Sequence, residues 1–252
     1  MSAPRALTGL WLGRRSYAPT YELQCALMEL RKADAVGDLA LMLEHHPVIT
    51  LGRGAVAEHL LESRESLVAR GIEVESTDRG GEITLHAPGQ LVCYPIVRLS
   101  PDRCDVRRYV RDLMYVMQSM VAGYHISAGE SAVGVGLWVN GADPEVFCDA
   151  APGLQKIGAI GVRISRWVTM HGFALNLCPD LSLYRAIVPC GIRDFGVCSV
   201  ESLRGDRAEP QSLAATTCLA LCERLERQLA TFVDLGECAQ PQLLSRVRQL
   251  AR

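Results

Sequence analysis

Apolar residues recur along the chain at two spacings, one typical of helices and the other of strands. Apolar positions three or four residues apart predict helices over Tyr21–Val36 and Ser63–Arg70, and a third helix opened by Asp105. Asp105 is the expected N-cap, because its carboxylate can accept from backbone N–H groups that the first turn leaves free. Gly71 is expected to end the second helix, since glycine readily adopts the left-handed conformation found there.

Short apolar runs bounded by turn residues predict the strands. The single runs are Leu39–Leu43, Val48–Leu51, Ile72–Glu75, Gly136–Val139, Ile157–Ile164 and Val168–Leu177. Two further runs, Glu82–Leu85 and Leu91–Val97, flank Pro88-Gly89 and predict a hairpin. Strands with helices between them indicate an α/β or α+β fold, a mixed sheet with flanking helices.

The C-terminal part of the chain has helical spacing only, which predicts two helices, Glu209–Thr231 and Pro241–Ala251. The sequence contains no internal repeat and no linker-like stretch. We therefore expect residues 1–252 to form a single domain, with a core at about 20–205 and a C-terminal helical segment at 206–252.

The composition is that of a globular protein, with 49% hydrophobic and 21% charged residues in 252 and a formal net charge of -2. This charge gives no general attraction to nucleic acid or to an acidic membrane. No apolar run approaches the roughly 18 residues of a membrane helix. The N-terminus lacks the pattern of a secretory signal, so a cytoplasmic location is expected. It contains arginine and no acidic residue before Glu22, which leaves a short organelle-targeting segment open.

The ten cysteines could indicate disulfides, zinc or reduced thiols. No C-x-x-C pair occurs, and Cys218 and Cys222 stand one helical turn apart, so no metal site is expected. Several cysteines lie in apolar runs, where a thiol acts as a small hydrophobe. Reduced thiols are therefore the expectation. The pair His45-His46 before Pro47 indicates a turn rather than a metal site.

A lysine and several glycines interrupt two of the predicted strands. By period-two alternation, Lys156 stands on the same strand face as the apolar row from Ile160 to Ile164, where its ammonium would be partly desolvated. Glycines within strands indicate that a ligand or another backbone comes close. The alternative is a row that simply emerges into solvent at Lys156.

Three other positions carry side chains suited to acyl or proton transfer. Cys190 lies between Pro189 and Gly191, in a loop that could present a thiol at a defined angle. A reactive thiol also needs a cation or a hydrogen-bond donor nearby. His86 and His171 could position a carbonyl group or transfer a proton. For each histidine the alternative is a structural role, with the ring satisfied by backbone.

Several motifs in a fixed order resemble the octanoyl-[acyl carrier protein]:protein N-octanoyltransferases, the lipoate-biosynthesis protein B family. The motifs are Arg79-Gly80-Gly81-x-x-Thr84-x-His86-x-Pro88-Gly89-Gln90, Lys156-Ile-Gly-Ala-Ile160-Gly161-Val162, His171-Gly172-x-Ala174-Leu175-Asn176 and Ile187-Val188-Pro189-Cys190-Gly191, with His46-Pro47-Val48-Ile49-Thr50-x-Gly52 before them. The resemblance covers about residues 20–205. Ala87 stands where the family usually has glycine, and the insert at 141–153 is longer than the family pattern leads us to expect.

The resemblance implies a biotin/lipoate protein ligase-like fold and a catalytic Cys/Lys dyad. Cys190 would be the acyl-thioester nucleophile and Lys156 the residue that lowers its pKa. His171 would support the site. The implied substrate-binding residues are Arg79, Gly80, Gly81, Glu82, Ile83, Thr84, Leu85, His86, Ala159, Ile160, Gly161, Gly172, Phe173 and Ala174.

The resemblance further implies transfer of an octanoyl or lipoyl group from acyl carrier protein to a lysine of lipoyl domains. Such domains belong to 2-oxoacid dehydrogenase complexes and to the glycine cleavage H protein. The acyl group would arrive on the 4'-phosphopantetheine of the carrier, and no cofactor is expected. One alternative is an ATP-dependent lipoate-protein ligase of the same fold, which would not need Cys190. The other is a non-catalytic carrier-binding module, against which the Cys190 and Lys156 pair argues.

A cluster of arginines marks the start of the helix opened by Asp105. Its members are Arg103, Arg107, Arg108 and Arg111. Because acyl carrier proteins are usually acidic, this cluster could steer the carrier to its docking site. The alternative is an ordinary solvated helix face.

Overall fold

The computed structural model describes residues 5–191 and 195–251, except for the side chain of Cys190. The helices are α1 (Tyr17–Lys32), α2 (Arg64–Ala69), α3 (Val106–Ala122), α4 (Val200–Arg204), α5 (Pro210–Leu225) and α6 (Gln240–Leu250). The strands are β1 (Arg5–Arg15), β2 (Asp38–His45), β3 (Val48–Leu51), β4 (Glu73–Ser76), β5 (Ile83–His86), β6 (Gln90–Ile96), β7 (Ala128–Ser131), β8 (Gly134–Asn140), β9 (Leu154–Ser165), β10 (Val168–Asn176), β11 (Gly196–Val197) and β12 (Arg227–Asp234). Short 3-10 helices cover Ala57–His59, Leu181–Ala186 and Pro189–Gly191.

The described strands form a large mixed sheet and a small one. The large sheet has the order β12-β1-β2-β6-β10-β9-β8-β7, and β11 pairs with β9 on the edge opposite β8. Strand β1 is parallel to both of its neighbours, whereas β6, β10, β9 and β8 pair antiparallel. The small sheet has the order β4-β3-β5.

Helices cover both faces of the large sheet and bury a separate core on each. Alternation along β10 places Phe173 in the core under α3 and α5, and its neighbour Ala174 in the core under α1 and α6. A third core, which includes Ile83 and Leu85, lies between the small sheet, α2 and the segment 181–187. The space between the two sheets, on the α1 side, is where the polar residues of the motifs converge.

The mixed α/β architecture and most predicted elements are confirmed. The Asp105 side chain caps α3 by accepting from the backbone N–H of Arg108 at 2.9 Å. Ser63 caps α2 in the same way. Helix α1 lies one turn earlier than predicted, because Asp34 adopts a left-handed φ of 55° and ends the helical conformation before Val36.

The predicted hairpin through Pro88-Gly89 is wrong, because its two strands belong to different sheets. Strand β5 pairs with β3, whereas β6 lies between β2 and β10. Gly89 has φ +88°, and a Cβ there would lie 2.5 Å from the carbonyl oxygen of Cys178. The Gly89 carbonyl accepts from the N–H groups of Leu177 and Cys178. This contact with the end of β10 carries the chain from the small sheet to the large one.

The prediction of one helix over Glu209–Thr231 is also wrong in its second half. Helix α5 ends at Leu225, Glu226 has a left-handed φ of 55°, and the chain continues as β12. Strand β12 pairs with β1, and the Arg227 guanidinium forms a buried ion pair with Asp38 at 2.8 Å. The open edge of β1 thus overrides the local helical spacing, and the segment 206–252 is not purely helical.

Candidate active site

A cavity of about 470 Å³ opens between the α1 face of the large sheet and the small sheet. Its lining includes these predicted site residues: Arg79, Gly81, Glu82, Thr84, His86, Ala159, Ile160, Gly161, His171, Gly172, Phe173 and Ala174. The structure thereby brings together residues from three separate motifs. Tyr17, Tyr94 and the segment 133–135 at the start of β8 also line the cavity, and no distinctive sequence signal marks them.

Three predicted substrate-binding residues are not part of the cavity lining. Ile83 and Leu85 are fully buried in the core of the small sheet, because β5 alternates and directs Thr84 and His86 to the cavity instead. The backbone N–H of Gly80 donates to the carbonyl of Val162 at 2.9 Å, which ties the loop to β9.

The strand glycines make room for neighbouring backbone. A Cβ on Gly161 would lie 2.9 Å from the carbonyl oxygen of Gly80. A Cβ on Gly172 would collide with the carbonyl of Cys93 in β6. These two glycines face each other across β9 and β10, and they let the loop at 79–81 and β6 approach closely. The backbone that the sequence led us to expect close to these strand glycines is therefore that of the loop at 79–81 and of β6.

Arg79 holds the loop that forms one wall of the cavity. Its Nη2 donates to the carbonyls of Thr50 at 2.7 Å and Glu82 at 2.8 Å. The side chain is buried, so these charge-assisted hydrogen bonds form in a region with little competing water. Arg79 thus fixes the path of the chain into β5, which sets the position of Glu82 at the cavity.

His171 is held in an uncommon conformation on the cavity wall. It has φ +59°, which is rare for a non-glycine residue within a strand. Burial lowers its pKa to about 4, so the ring is neutral at pH 7. Its Nε2 therefore carries a proton and donates to Asp78 Oδ1 at 3.0 Å. Burial raises the pKa of Asp78, but this hydrogen bond and the charge of Arg163 outweigh it and leave that pKa below its usual value.

Two further histidines next to the cavity are neutral for the same reason. Burial lowers the pKa of His45 to about 4 and the pKa of His86 well below its ordinary value. His45 Nδ1 donates to the carbonyl of Arg15 at 2.9 Å, so its Nε2 accepts from the Tyr94 hydroxyl. His86 Nδ1 lies 3.2 Å from Gln90 Oε1. None of the three imidazoles can therefore supply a positive charge to a thiolate at pH 7.

The expected strand face of Lys156 is wrong, because a bulge interrupts the alternation of β9. Gly158 pairs with Leu137, but Lys156 pairs with Trp138, so Ile157 is an extra residue on β9. Ile157 and Leu137 join the core under α3, whereas Lys156 is turned to the other face with Trp138. That face is the one on which Ala159 meets the cavity.

Lys156 is buried, with 5% of its surface exposed. Its Nζ lies 5.2 Å from the centre of the Trp138 ring, a cation–π contact. A Cβ on Gly136 would collide with Lys156 Cε and lie 3.1 Å from Nζ. Gly136 follows directly after Gly134 and Val135 of the cavity wall. The ammonium group is therefore held against β8 next to the cavity wall, although Lys156 itself is not one of the residues that line the cavity.

The side chain of Cys190 lies outside the described residues, so its role and its pairing with Lys156 stay predictions. The backbone of Pro189–Gly191 forms a 3-10 turn in which Gly191 N donates to Val188 O at 3.1 Å. Gly191 has φ +72°, a conformation that favours glycine. The other cysteines have free thiols, and burial raises the pKa of Cys93 and Cys198, which makes these two unreactive.

The arginine cluster does not form one solvated face. Arg103 is buried and paired with Asp112 and Glu226, and Arg108 also contacts Glu226 at 3.1 Å. Arg103 therefore fastens α3 to the turn after α5 and cannot steer a partner. Arg107 and Arg111 are exposed, and a steering role for them stays a prediction.

Two further properties of the described residues concern helices that could span a membrane and side-chain clusters that could hold a metal ion. Within the ranges 5–191 and 195–251, no helix combines the length and apolar character needed to cross a membrane. Within the same ranges, no three His, Cys, Asp or Glu side chains cluster in a way that could hold a metal ion.

Comparisons with known proteins agree with the architecture and the motifs. Residues 16–221 match the family described as the lipoyl protein ligase A/B catalytic domain. An octanoyltransferase of Chloroflexus aggregans is 46% identical over 233 residues, which are 92% of this chain and 96% of that protein. An octanoyltransferase of Myxococcus xanthus is 44% identical over 80% of this chain, which spans 54% of that longer protein.

Solved structures share the fold at low sequence identity. A bipartite lipoate protein ligase of Thermoplasma acidophilum has a TM-score of 0.66 at 15% identity, covering 98% of both chains. A biotin protein ligase of Aquifex aeolicus has a TM-score of 0.51 at 11% identity, covering 95% of this chain and 76% of that one. The fold is therefore that of the biotin and lipoate protein ligases. The chain belongs to the lipoyl protein ligase A/B catalytic family and, within it, to the octanoyltransferases, which makes it an acyltransferase.

Proposed function

We propose that this chain transfers an octanoyl group from acyl carrier protein to a lysine of a lipoyl domain, through a thioester on Cys190. The octanoyltransferase relatives support the acyl group and the reaction class. The observation that carries the mechanism is the bulge in β9, which turns the buried Lys156 from the α3 core to the cavity face. A buried ammonium at this position is stabilised if it faces a thiolate, because the two charges are opposite.

The reaction proceeds in two acyl exchanges. The Cys190 thiolate attacks the thioester carbonyl of the octanoyl carrier, and the pantetheine thiol leaves and takes up a proton. The amine of the acceptor lysine then attacks the acyl-enzyme, an amide bond forms, and the Cys190 thiolate is released. The proton lost by the amine replaces the one that a group at the site gave to the pantetheine sulfur in the first exchange. Each step exchanges one acyl bond for another, so the proposed chemistry consumes no nucleotide and uses no metal or other cofactor.

Lys156 serves both exchanges in this mechanism. Its ammonium favours the thiolate of Cys190, because an opposite charge close by lowers a thiol pKa. It gives its proton to the leaving pantetheine sulfur in the first exchange, and the resulting amine takes up the proton of the attacking lysine in the second, which an arginine could not do. Because His45, His86 and His171 are neutral, Lys156 supplies the positive charge. His86 and His171 instead offer uncharged hydrogen-bonding groups to the acyl-pantetheine and the incoming amine.

The proposed partners are acyl carrier protein and the lipoyl domains of 2-oxoacid dehydrogenase complexes and of the glycine cleavage H protein. The Thermoplasma acidophilum structure is described together with its E2 lipoyl domain, which supports a lipoyl domain as the acceptor. The proposal that acyl carrier protein is the donor rests on the motif resemblance alone. Exposed Arg107 and Arg111 offer a positive surface to such an acidic carrier.

The test is a transfer assay without ATP. The chain is mixed with octanoyl carrier protein and an apo lipoyl domain, and the mass of the domain is followed. We expect one octanoyl amide on the acceptor lysine. Modification that requires free octanoate and ATP would instead make the chain a ligase. Binding of octanoyl carrier with no transfer to any acceptor would make it a carrier-binding module.

A further inference from the structure

A pair of side chains that the mechanism has not used lies against the loop of Cys190. Glu82, on the cavity wall, contacts His59 at the end of the 3-10 helix Ala57–His59 through a short Nδ1 to Oε1 contact. Both side chains are mostly buried, with 18% of His59 and 16% of Glu82 exposed. Charges in such a setting are screened less by water than charges on the surface.

The segment that carries His59 also holds the chain that leads to Cys190. The carbonyl of His59 accepts from Val188 N at 2.8 Å. Leu60 forms a bridge with Ile187, and Leu61 N donates to the carbonyl of Ala186 at 2.9 Å. Residues 59–61 are therefore joined to 186–188 by two backbone hydrogen bonds and one isolated bridge. The position of the following 3-10 turn depends on where His59 lies.

The pair itself touches the residue next to Cys190. A Cβ built on Gly191 would collide with Glu82 Oε2 and would lie 3.1 Å from His59 Cε1. Only a glycine fits here, both for this contact and for its φ of +72°. Cys190 is thus bonded to a residue whose backbone rests on the carboxylate and on the imidazole at the same time.

The charges of the pair bear on any thiolate at residue 190. A partly buried carboxylate close to a thiol disfavours the thiolate, because like charges repel strongly in a poorly hydrated place. A proton on the imidazole that contacts Glu82 would offset that repulsion. Among the described residues, Arg79 also reaches this segment and donates to the Glu82 carbonyl at 2.8 Å. His86 is neutral.

We infer that His59 and Glu82 are positioning residues that seat the Pro189–Gly191 turn as a charge-balanced pair. The inference rests on the proposed role of Cys190 as nucleophile. Glu82 supplies the surface on which Gly191 rests, and a proton on His59 offsets the carboxylate charge that this contact brings next to residue 190. Loss of His59 alone is then more harmful to the thiolate than loss of both partners.

The experiment measures the rate of Cys190 alkylation by iodoacetamide against pH, by mass spectrometry of the peptide that contains it. The variants are His59→Gln, Glu82→Gln and the double variant. We expect His59→Gln to raise the midpoint of the profile by about one pH unit, which is a tenfold loss of thiolate below the midpoint. Glu82→Gln should not raise the midpoint, and the double variant should return it toward that of the unchanged chain.

Two controls separate charge from folding. His59→Lys keeps a cation beside Glu82 and should retain the midpoint. Glu58→Gln removes an exposed carboxylate from the same 3-10 helix and should change nothing. Thermal unfolding of each variant identifies any that fails to fold, in which case the comparison between Glu82→Gln and the unchanged chain still decides. A midpoint that rises in Glu82→Gln would contradict the inference.

The transfer assay on the same variants distinguishes this inference from the proposed function. Equal midpoints in all variants, with active transfer, would overturn the pair and leave the function standing. A shifted midpoint in a chain that transfers no octanoyl group would support the pair and overturn the function. A Cys190 that resists alkylation in the folded chain at every pH would count against both.

Discussion

The two halves of the proposed dyad are built in different ways. Lys156 is held inside the large sheet, between Trp138 and Gly136 of β8, by backbone pairing on both sides of β9. Cys190 belongs to a 3-10 turn that rests on the small sheet through a few contacts of His59 and Glu82. The cation of Lys156 is therefore placed by a rigid strand. The position of Cys190, the proposed nucleophile, depends instead on side chains that single substitutions can disturb.

The largest effect is expected from Cys190→Ala, which removes the nucleophile and leaves the lysine side intact. Octanoyl transfer should fall by at least about a thousandfold, and no acyl adduct should form on the chain. Intact mass after mixing with octanoyl carrier protein measures the adduct. Cys104→Ala, at an exposed cysteine, is the control and should transfer normally. An adduct that survives Cys190→Ala would move the nucleophile to another cysteine.

The next effect is expected from Lys156→Met, which keeps the length of the stem and deletes the charge. A free thiol titrates at about 8.5, so the pH profile of Cys190 alkylation should shift upward toward that value. Transfer should fall by about a hundredfold even at saturating substrate, since general acid–base help is lost too. Lys156→Arg should restore the alkylation profile in part but little turnover. An unmoved profile in Lys156→Met would exclude the dyad.

A smaller loss is expected from Gly136→Ala, which tests whether β8 places the lysine. The new Cβ would collide with Lys156 Cε, and the φ of +144° favours glycine. We expect a roughly tenfold lower kcat with little change in KM, because the ammonium shifts while the cavity stays. Gly71→Ala is the matched control, since Gly71 has φ +75° and nothing within 4 Å of the new Cβ. Equal losses of kcat in both variants would mean that backbone strain, and not the contact with Lys156, causes the loss.

The last prediction concerns stability and the neutral histidines at and beside the cavity wall. Burial lowers the pKa of His45 and of His171 to about 4, whereas an unfolded histidine titrates at about 6.5. The unfolded chain therefore binds more protons between those values, and the free energy of unfolding falls as the pH drops from 6.5 to 4. Each group contributes on the order of 3 kcal/mol to this loss.

Chemical denaturation at several pH values measures that loss. His45→Asn should lower stability at pH 7, because the imidazole contacts to Arg15 and Tyr94 are lost, but it should flatten the dependence on pH. The exposed His125, changed to Asn, serves as the control and should leave the slope unchanged. A slope that His45→Asn does not alter would mean that this ring is charged in the folded protein.

Local patterns in the sequence determine the helices and the identity of the motifs. The spacing of Leu23 and Leu27 predicts α1, and the Asp105 carboxylate predicts the start of α3, because both effects act within a turn or two of the chain. The ordered motifs from Arg79 to Cys190 indicate the family, since they specify chemistry that few other folds need. Their residues from β5, β9 and β10 do meet at one cavity.

Only the tertiary structure decides which sheet a strand joins and which way a side chain faces. The run at Arg227–Asp234 becomes a strand because β1 offers an open edge, although its local spacing favours a helix. The strands flanking Gly89 join different sheets, and at the point where they separate only a glycine fits against the backbone of Cys178. Lys156 is turned away from the α3 core because Ile157 bulges from the pairing with β8, and an alternation rule assumes regular pairing. These outcomes depend on partners distant in sequence, whose contacts local spacing does not encode.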